Sequence, residues 1–265
     1  MIKEHSTSNI QPPTPKVSGT PLSFGVERSV LNVERFPISN NWNLLNSGKR
    51  GAAFNLALDE ALLKNVSRLG KPVLRFYGWT EPAATFGYFQ KFSEVEAATP
   101  LRPLIRRPTG GGIVPHDADW TYSIVFPPGH EWHSLKAEES YRRIHDWLRL
   151  AFAELKVETE LAPGSKKSLP GQCFAGHEKF DLLWRGKKIA GAAQRRNKSG
   201  LLIQGSVQPP AVAMSRGDWE RAMAAVAAAR FKVSWQTGRA DGELLVAADH
   251  LATGKFSQPD YNKKR

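Results

Sequence analysis

The sequence predicts an α+β fold: a mixed, largely antiparallel sheet flanked by helices. Three observations carry this. Two stretches of about eighteen residues repeat apolar side chains at helical spacing. Short β-branched and aromatic runs are cut off by turn residues. One of these groups of runs, between residues 179 and 207, has no room for a helix between its strands and so reads as a meander. Irregular alternation of helices and strands, with hairpins, fits such a sheet better than a doubly wound parallel one.

Residues 1 to 28 are rich in Pro, Ser and Thr and are expected to be unstructured. The stretch AAFNLALDEALLKNV puts Phe54, Leu58, Ala61 and Leu62 on one helical face. VLRFYGW (73–79), PLIRR (103–107) and TYSIVF (121–126) read as strands. Between 138 and 155, Tyr141, Ile144, Leu148, Ala151 and Leu155 recur every three or four residues, the mark of an amphipathic helix. KFDLLW and KKIAGAAQ flank a tight turn at Arg185–Gly186, and NKSG leads into LLIQGSV. Ser215 and Asp218 have capping-box spacing ahead of a helix read as the last one. Residues 231–265 are weakly patterned and are expected to be an extension.

Composition narrows the function classes. The 265 residues include 41% hydrophobic side chains, eight Trp and thirteen Phe, enough for a substantial core. A single cysteine forbids an intrachain disulfide and suggests a reducing, cytoplasmic setting. The first residues lack the apolar core of a secretory signal, and no run is long enough for a membrane helix. The net charge of +12 favours polyanions or acidic proteins as partners. The cations are scattered, however, and no nucleic-acid-binding signature is present, so no nucleic acid is expected.

Three stretches carry residues able to do chemistry. In GKKIAGAAQ, strict strand alternation would place Lys188, Ala190, Ala192 and Gln194 on one face, leaving open volume beside an ammonium. That volume suits a ligand, although a lysine that snorkels from an edge strand is the stronger reading of the strand alone. Cys173, in the loop PGQCFAGHE, shifts the balance: a nearby cation lowers a thiol's pKa, as a nucleophile requires. In RRPTGGGIVPHD, the glycines Gly110, Gly111 and Gly112 allow close backbone approach to a ligand, or form only a flexible hairpin loop. The run is neither a P-loop nor a dinucleotide fingerprint. His116, Asp117 and Asp119 lack a second ligand cluster, so no metal site is expected.

Together these stretches resemble the lipoate–protein ligase and octanoyltransferase superfamily, which includes biotin–protein ligase. FNLALDEALL is similar to its first helix, LRFYGWTEPAATFGYFQ to its next strand and loop, RRPTGGGIVPHD to its Arg-Arg-x-Ser/Thr-Gly-Gly loop, and GKKIAGAAQRR to its lysine strand. The match runs from about Trp42 to Val207, so residues 29–230 are expected to form the catalytic domain. Cys-Phe ahead of the motif lysine, and Thr-Tyr-Ser at 121–123, resemble an octanoyltransferase group; the triple glycine is equally ligase-like, and Ile203-Gln204-Gly205 stands where Gln-His-Gly is common.

The resemblance implies that Cys173 accepts an octanoyl group from acyl carrier protein, with Lys188 as its partner. Acyl transfer to a lysine of lipoyl domains or glycine-cleavage H protein then needs no nucleotide or other cofactor. Arg106, Arg107, His116, the three glycines, Ala190 and Gly191 would frame the acyl slot. The alternatives are an ATP-dependent lipoate–protein ligase, which would use ATP and Mg to form lipoyl-AMP, and a non-catalytic binding module.

Overall fold

The structure is a computed structural model and describes residues 40–166 and 176–265. In chain order the elements are β1 (Asn41–Arg50), α1 (Ala52–Leu69), β2 (Val73–Trp79), β3 (Ala83–Phe86), α2 (Phe92–Ala98), β4 (Leu104–Arg106), β5 (Val114–His116), β6 (Trp120–Phe126), α3 (Glu131–Ser134) and α4 (Ala137–Glu154). There follow β7 (Glu160–Leu161), β8 (Leu182–Trp184), β9 (Lys187–Asn197), β10 (Gly200–Val207), α5 (Arg216–Phe231), β11 (Ser234–Gly238), α6 (Gly242–Leu251), a π-helical turn (Ala252–Phe256) and α7 (Pro259–Asn262).

Eight strands form one sheet in the order β11-β1-β2-β6-β10-β9-β8-β7. Only β1 runs parallel to its neighbours β11 and β2; every other adjacent pair is antiparallel. The mixed, largely antiparallel sheet is therefore as predicted. A second sheet, β4-β3-β5, lies outside that expectation. Its strands are only three or four residues long, too short for alternation to show in sequence.

Alternation along the central strands builds two layers. Leu74 and Phe76 of β2, Tyr122, Ile124 and Phe126 of β6, and Leu201 and Ile203 of β10 pack against Ile144, Leu148 and Phe152 of α4 and Trp219 and Met223 of α5. Val73, Val125 and Leu202 point the other way, onto Leu58, Leu62 and Val66 of α1. The hairpin turn at Arg185–Gly186 has both residues at positive φ, 49° and 72°, which matches a two-residue primed turn. Ser215 and Asp218 form the anticipated capping box.

The segment after residue 231 is a structural part of the domain, not an appendage, and α5 is not the last helix. β11 pairs in register with β1, with Asn41 opposite Ser234. Leu244 and Ala248 of α6 pack on the α1 cluster, so α1 is covered on two sides and eleven of its first fifteen residues are buried. Asn262 of α7 accepts the backbone N–H of Arg106 at 2.9 Å. Among the described residues, no helix is long and apolar enough to cross a membrane.

Candidate active site

A pocket of about 530 Å3, including its mouth, opens between the large sheet and the small one. Tyr77, Trp79 and Thr121 form one wall; Gly191, Ala192, Ala193, Gly205 and Ser206 form another; Arg107, Gly111 and Val114 close the third. Lys188 reaches it from the end of β9.

Lys188 arrives there by a route that strict alternation does not predict. Leu183 pairs with Lys188 but Leu182 pairs with Ala190, so Ile189 is an extra residue in β9. Such a bulge reverses the facing of everything beyond it. Ala190 therefore enters the α4-side core, fully buried, rather than framing the acyl slot. Gln194 follows Ala190 and bonds Ser140 of α4, whereas Lys188 lines the pocket with Gly191 and Ala193. The expected common face of Lys188, Ala190, Ala192 and Gln194 is thus split. Gly191 makes room for the lysine. A Cβ on it would lie 2.8 Å from both Cε and Nζ of Lys188, so the lysine occupies the space the glycine leaves.

The ammonium is not a snorkelling one. The Lys188 side chain is 6% exposed, and its Nζ meets Oδ2 of the fully buried Asp181 at 2.8 Å. The backbone N–H of Glu178 donates to the same oxygen at 2.6 Å. The Tyr141 hydroxyl donates to Oδ1. A charge taken out of water requires such a partner, since a lone buried ammonium would cost several kcal/mol. Behind this cluster His145 is completely buried, and burial pushes its pKa down to about 4 although the Asp181 charge opposes that shift.

Cys173 lies outside the described residues. Lys166 and His177, described residues on either side of it, exchange backbone hydrogen bonds of 2.7 and 2.9 Å. Glu178, next in the chain, is the residue whose N–H shares Asp181 with Lys188.

The other expected site residues divide. Arg107 lines the pocket and directs Nε and Nη2 at the Gly110 carbonyl, at 3.0 and 2.5 Å, bracing the glycine loop. Gly111 lines it too and has φ +89°, a conformation that favours glycine; Gly110 and Gly112 belong to the same loop but are not part of the wall. Gly87 backs directly onto this loop, and a Cβ there would fall 1.9 Å from the Gly111 carbonyl oxygen. His116 lines the pocket, stacked on Trp79 with 3.9 Å between ring centres, and its nitrogens meet Asp119 Oδ2 at 2.9 Å and Thr85 Oγ1 at 2.8 Å.

Arg106 does not frame the slot. It is fully buried and spends its guanidinium on the carbonyls of Tyr88, Gln90 and Asn262, pinning α7 to β4. Asp119 is buried and accepts from Thr121 and Ser206 as well as engaging His116. Among the described residues no group of three or more His, Cys, Asp or Glu is gathered as for a metal ion.

Sequence reasoning missed two buried acids. Asp59 of α1 accepts from Arg75 at 2.6 Å, Ser123 at 2.7 Å, Tyr77 at 3.0 Å and Gln204 at 2.7 Å. Gln204 then receives Thr109 at 2.9 Å, which ties the glycine loop to the sheet. The signal was available: Asn55 and Asp59 sit one turn apart amid the apolar residues of α1. Asp181 gave none beyond preceding a hairpin.

A pocket with small residues along one wall, a braced glycine loop and an ion-paired lysine thus come together between the two sheets. Residues 51–208 match the lipoyl protein ligase A/B catalytic domain model, and the chain belongs to that family. It is 40% identical over 172 residues to the octanoyltransferase LipM of Carboxydothermus hydrogenoformans, a match covering 63% of this chain and 64% of that one. The chain thus spans just under two-thirds of that relative's length. The fold is similar to a lipoate-protein ligase A solved with ATP (TM-score 0.70, 21% identity, 84% of this chain and 98% of that one). It is also similar to a bi-partite lipoate protein ligase from Thermoplasma acidophilum, studied with its E2 lipoyl domain (TM-score 0.63, 19% identity, 85% and 96%).

Proposed function

We propose that the protein is an octanoyltransferase that moves an octanoyl group from acyl carrier protein, through a thioester on Cys173, to a lysine of a lipoyl domain or glycine-cleavage H protein. The observation that carries this reading is the buried Lys188–Asp181 pair at the pocket. It shares its carboxylate with the N–H of Glu178, five residues after the cysteine. A cation there stabilises a thiolate, and the pocket beside it accepts a straight apolar chain between Gly191, Ala192, Ala193 and Val114. The likeness to the curated octanoyltransferase supports the same reading.

In the first half-reaction the Cys173 thiolate attacks the thioester carbonyl. The tetrahedral adduct collapses, the carrier's thiolate leaves, and the octanoyl group is bonded to sulfur. In the second, the acceptor's neutral ε-amine attacks that carbonyl, the cysteine thiolate leaves, and the amine's proton passes to water as the amide forms. Lys188 holds the thiolate before attack and after release; well-placed proton-transfer groups contribute about 10²- to 10⁴-fold. Thioester exchange is close to thermoneutral and amide formation is downhill, so the route uses no nucleotide and no metal.

Competing donors test this directly. Octanoyl-acyl carrier protein without nucleotide should label the acceptor, and free octanoate with ATP and Mg should not. Labelling that requires ATP would make the protein a ligase instead.

A further inference from the structure

Beside the pocket, a surface forms that the transfer chemistry does not use. Phe89 is 73% exposed on the loop between β3 and α2. Cations surround it. Arg265 lies over the Phe89 ring at 5.3 Å and the Tyr88 ring at 5.4 Å, Lys264 over Tyr88 at 3.9 Å, and Lys263 over Phe92 at 5.2 Å. Lys91 is exposed on the same loop. Arg195 of β9 donates to the Pro108 carbonyl at 3.3 Å, next to the Thr109 carbonyl that accepts the Tyr88 N–H. The acids close by are largely paired with other cations, Glu94 with Lys91 at 3.4 Å, Glu96 with Arg102 at 3.8 Å and Glu60 with Lys255, while Asp260 is exposed, so the cations of the patch outnumber the free acids beside them.

The patch is rigidly attached. Phe92 donates its N–H to the Arg265 carbonyl at 2.8 Å, and the buried Arg106 holds residues 88, 90 and 262 together. It is also continuous with the pocket. Tyr88 N–H donates to the Thr109 carbonyl, Gly87 abuts Gly111, and Arg195 shares the β9 face of Gly191 and Ala193.

Resting on the transferase reading, we propose that Phe89, Lys91, Arg195 and Lys263 to Arg265 form the dock for the acidic carrier protein that delivers the acyl group. Charge complementarity sets the sign of the partner, and the exposed ring supplies an apolar anchor at the centre of a cationic rim. Reach selects donor over acceptor. Arg195 and Lys188 are seven residues apart on β9, about 20–23 Å at ~3.3 Å per residue, the lower figure discounting the bulged Ile189. A carrier protein presents its thioester on a prosthetic arm about as long as five or six extended residues, ~20 Å. An acceptor presents only a lysine side chain, so its domain must dock much closer to Lys188.

The test compares donors that do and do not carry the protein. With Phe89→Ser and with the double variant Lys263→Glu/Lys264→Glu, kcat/KM for octanoyl-acyl carrier protein should fall at least tenfold. For octanoyl-pantetheine, which has the arm but no protein, it should change less than twofold, as should KM for the acceptor. The carrier-protein rate should lose much of its salt dependence in the double variant. Equal losses with both donors, a selective rise in acceptor KM, or unchanged kinetics would each overturn the dock. Affinity for acyl carrier protein, measured by titration without turnover, separates this proposal from the function. Tight binding lost in both variants upholds the dock even where no transfer occurs, and binding indifferent to them overturns it.

Discussion

Substituting Gly191 by alanine perturbs the site at one atom. The new Cβ falls 2.8 Å from Cε and Nζ of Lys188 and 3.2 Å from Oδ1 of Asp181, whereas non-bonded carbons settle at about 3.5–4.0 Å. The lysine tip must therefore retreat by ~1 Å. Its other neighbours limit where it goes, because Nζ is held at 2.8 Å by a buried carboxylate that Tyr141 and Glu178 also grip. The fold itself is little affected: overpacking costs about 1–3 kcal/mol, and replacing a strand glycine returns roughly 0.5–1 kcal/mol of backbone entropy. The expected net loss is about 1 kcal/mol, a drop in Tm of ~2–4 °C for a domain of this size. Activity should respond far more, since a misplacement of ~1 Å costs about 10²-fold. Steady-state transfer of octanoyl groups to a purified lipoyl domain, with Tm measured on the same preparation, reads both. A variant with kcat within twofold of wild type would refute the assignment of Lys188 to the chemistry.

Gly87→Ala places a Cβ 1.9 Å from a backbone oxygen of Gly111, which cannot swing aside as a side chain can, so the glycine loop must move. KM for the acyl donor should rise at least tenfold while the mass of acyl-enzyme formed at saturation is retained; an unchanged KM would contradict the loop's place in the pocket wall. Arg106→Ala leaves the carbonyls of Tyr88, Gln90 and Asn262 without their donor. At ~1–3 kcal/mol for each unmade buried bond, urea unfolding should show a loss of at least ~3 kcal/mol, with kcat per folded molecule nearly unchanged. The neutral, buried His145 predicts acid sensitivity. Its pKa is about 4 folded against 6.5 unfolded, so the unfolded chain takes the proton first and stability is lost as pH falls from ~6.5 toward ~4. Between pH 7 and pH 5 this residue accounts for about 2 kcal/mol, and His145→Gln should flatten the Tm-versus-pH slope over that window. An unaltered slope would show that His145 is not the group responsible.

The elements legible in the sequence are those whose partners are local or whose faces are cleanly divided. β2 coincides with the stretch read as VLRFYGW, α4 matches its three-and-four spacing within a residue, and the hairpin turn and capping box follow from two residues each. What was not legible depends on distant contacts. The partners of β3, β4 and β5 lie in one another, and the buried face of α6 is set by α1. The bulge at Ile189 is the instructive case: one extra residue moved Ala190 into the core and Lys188 into the pocket, and no period of two could have announced it. Motif residues fared similarly. Neighbours Arg106 and Arg107 look equivalent in sequence, yet Arg106 ends β4 and braces α7, while Arg107, just past the strand, braces the glycine loop.

Intact-mass analysis after mixing the protein with octanoyl-acyl carrier protein, followed by peptide mapping, interrogates the covalent route itself. The wild-type chain should gain the mass of one octanoyl group, located on Cys173 and discharged on adding a lipoyl domain, whereas Cys173→Ser should gain none and transfer nothing. Octanoyl transfer by Cys173→Ser at the wild-type rate, or an adduct mapped to a different residue, would contradict it.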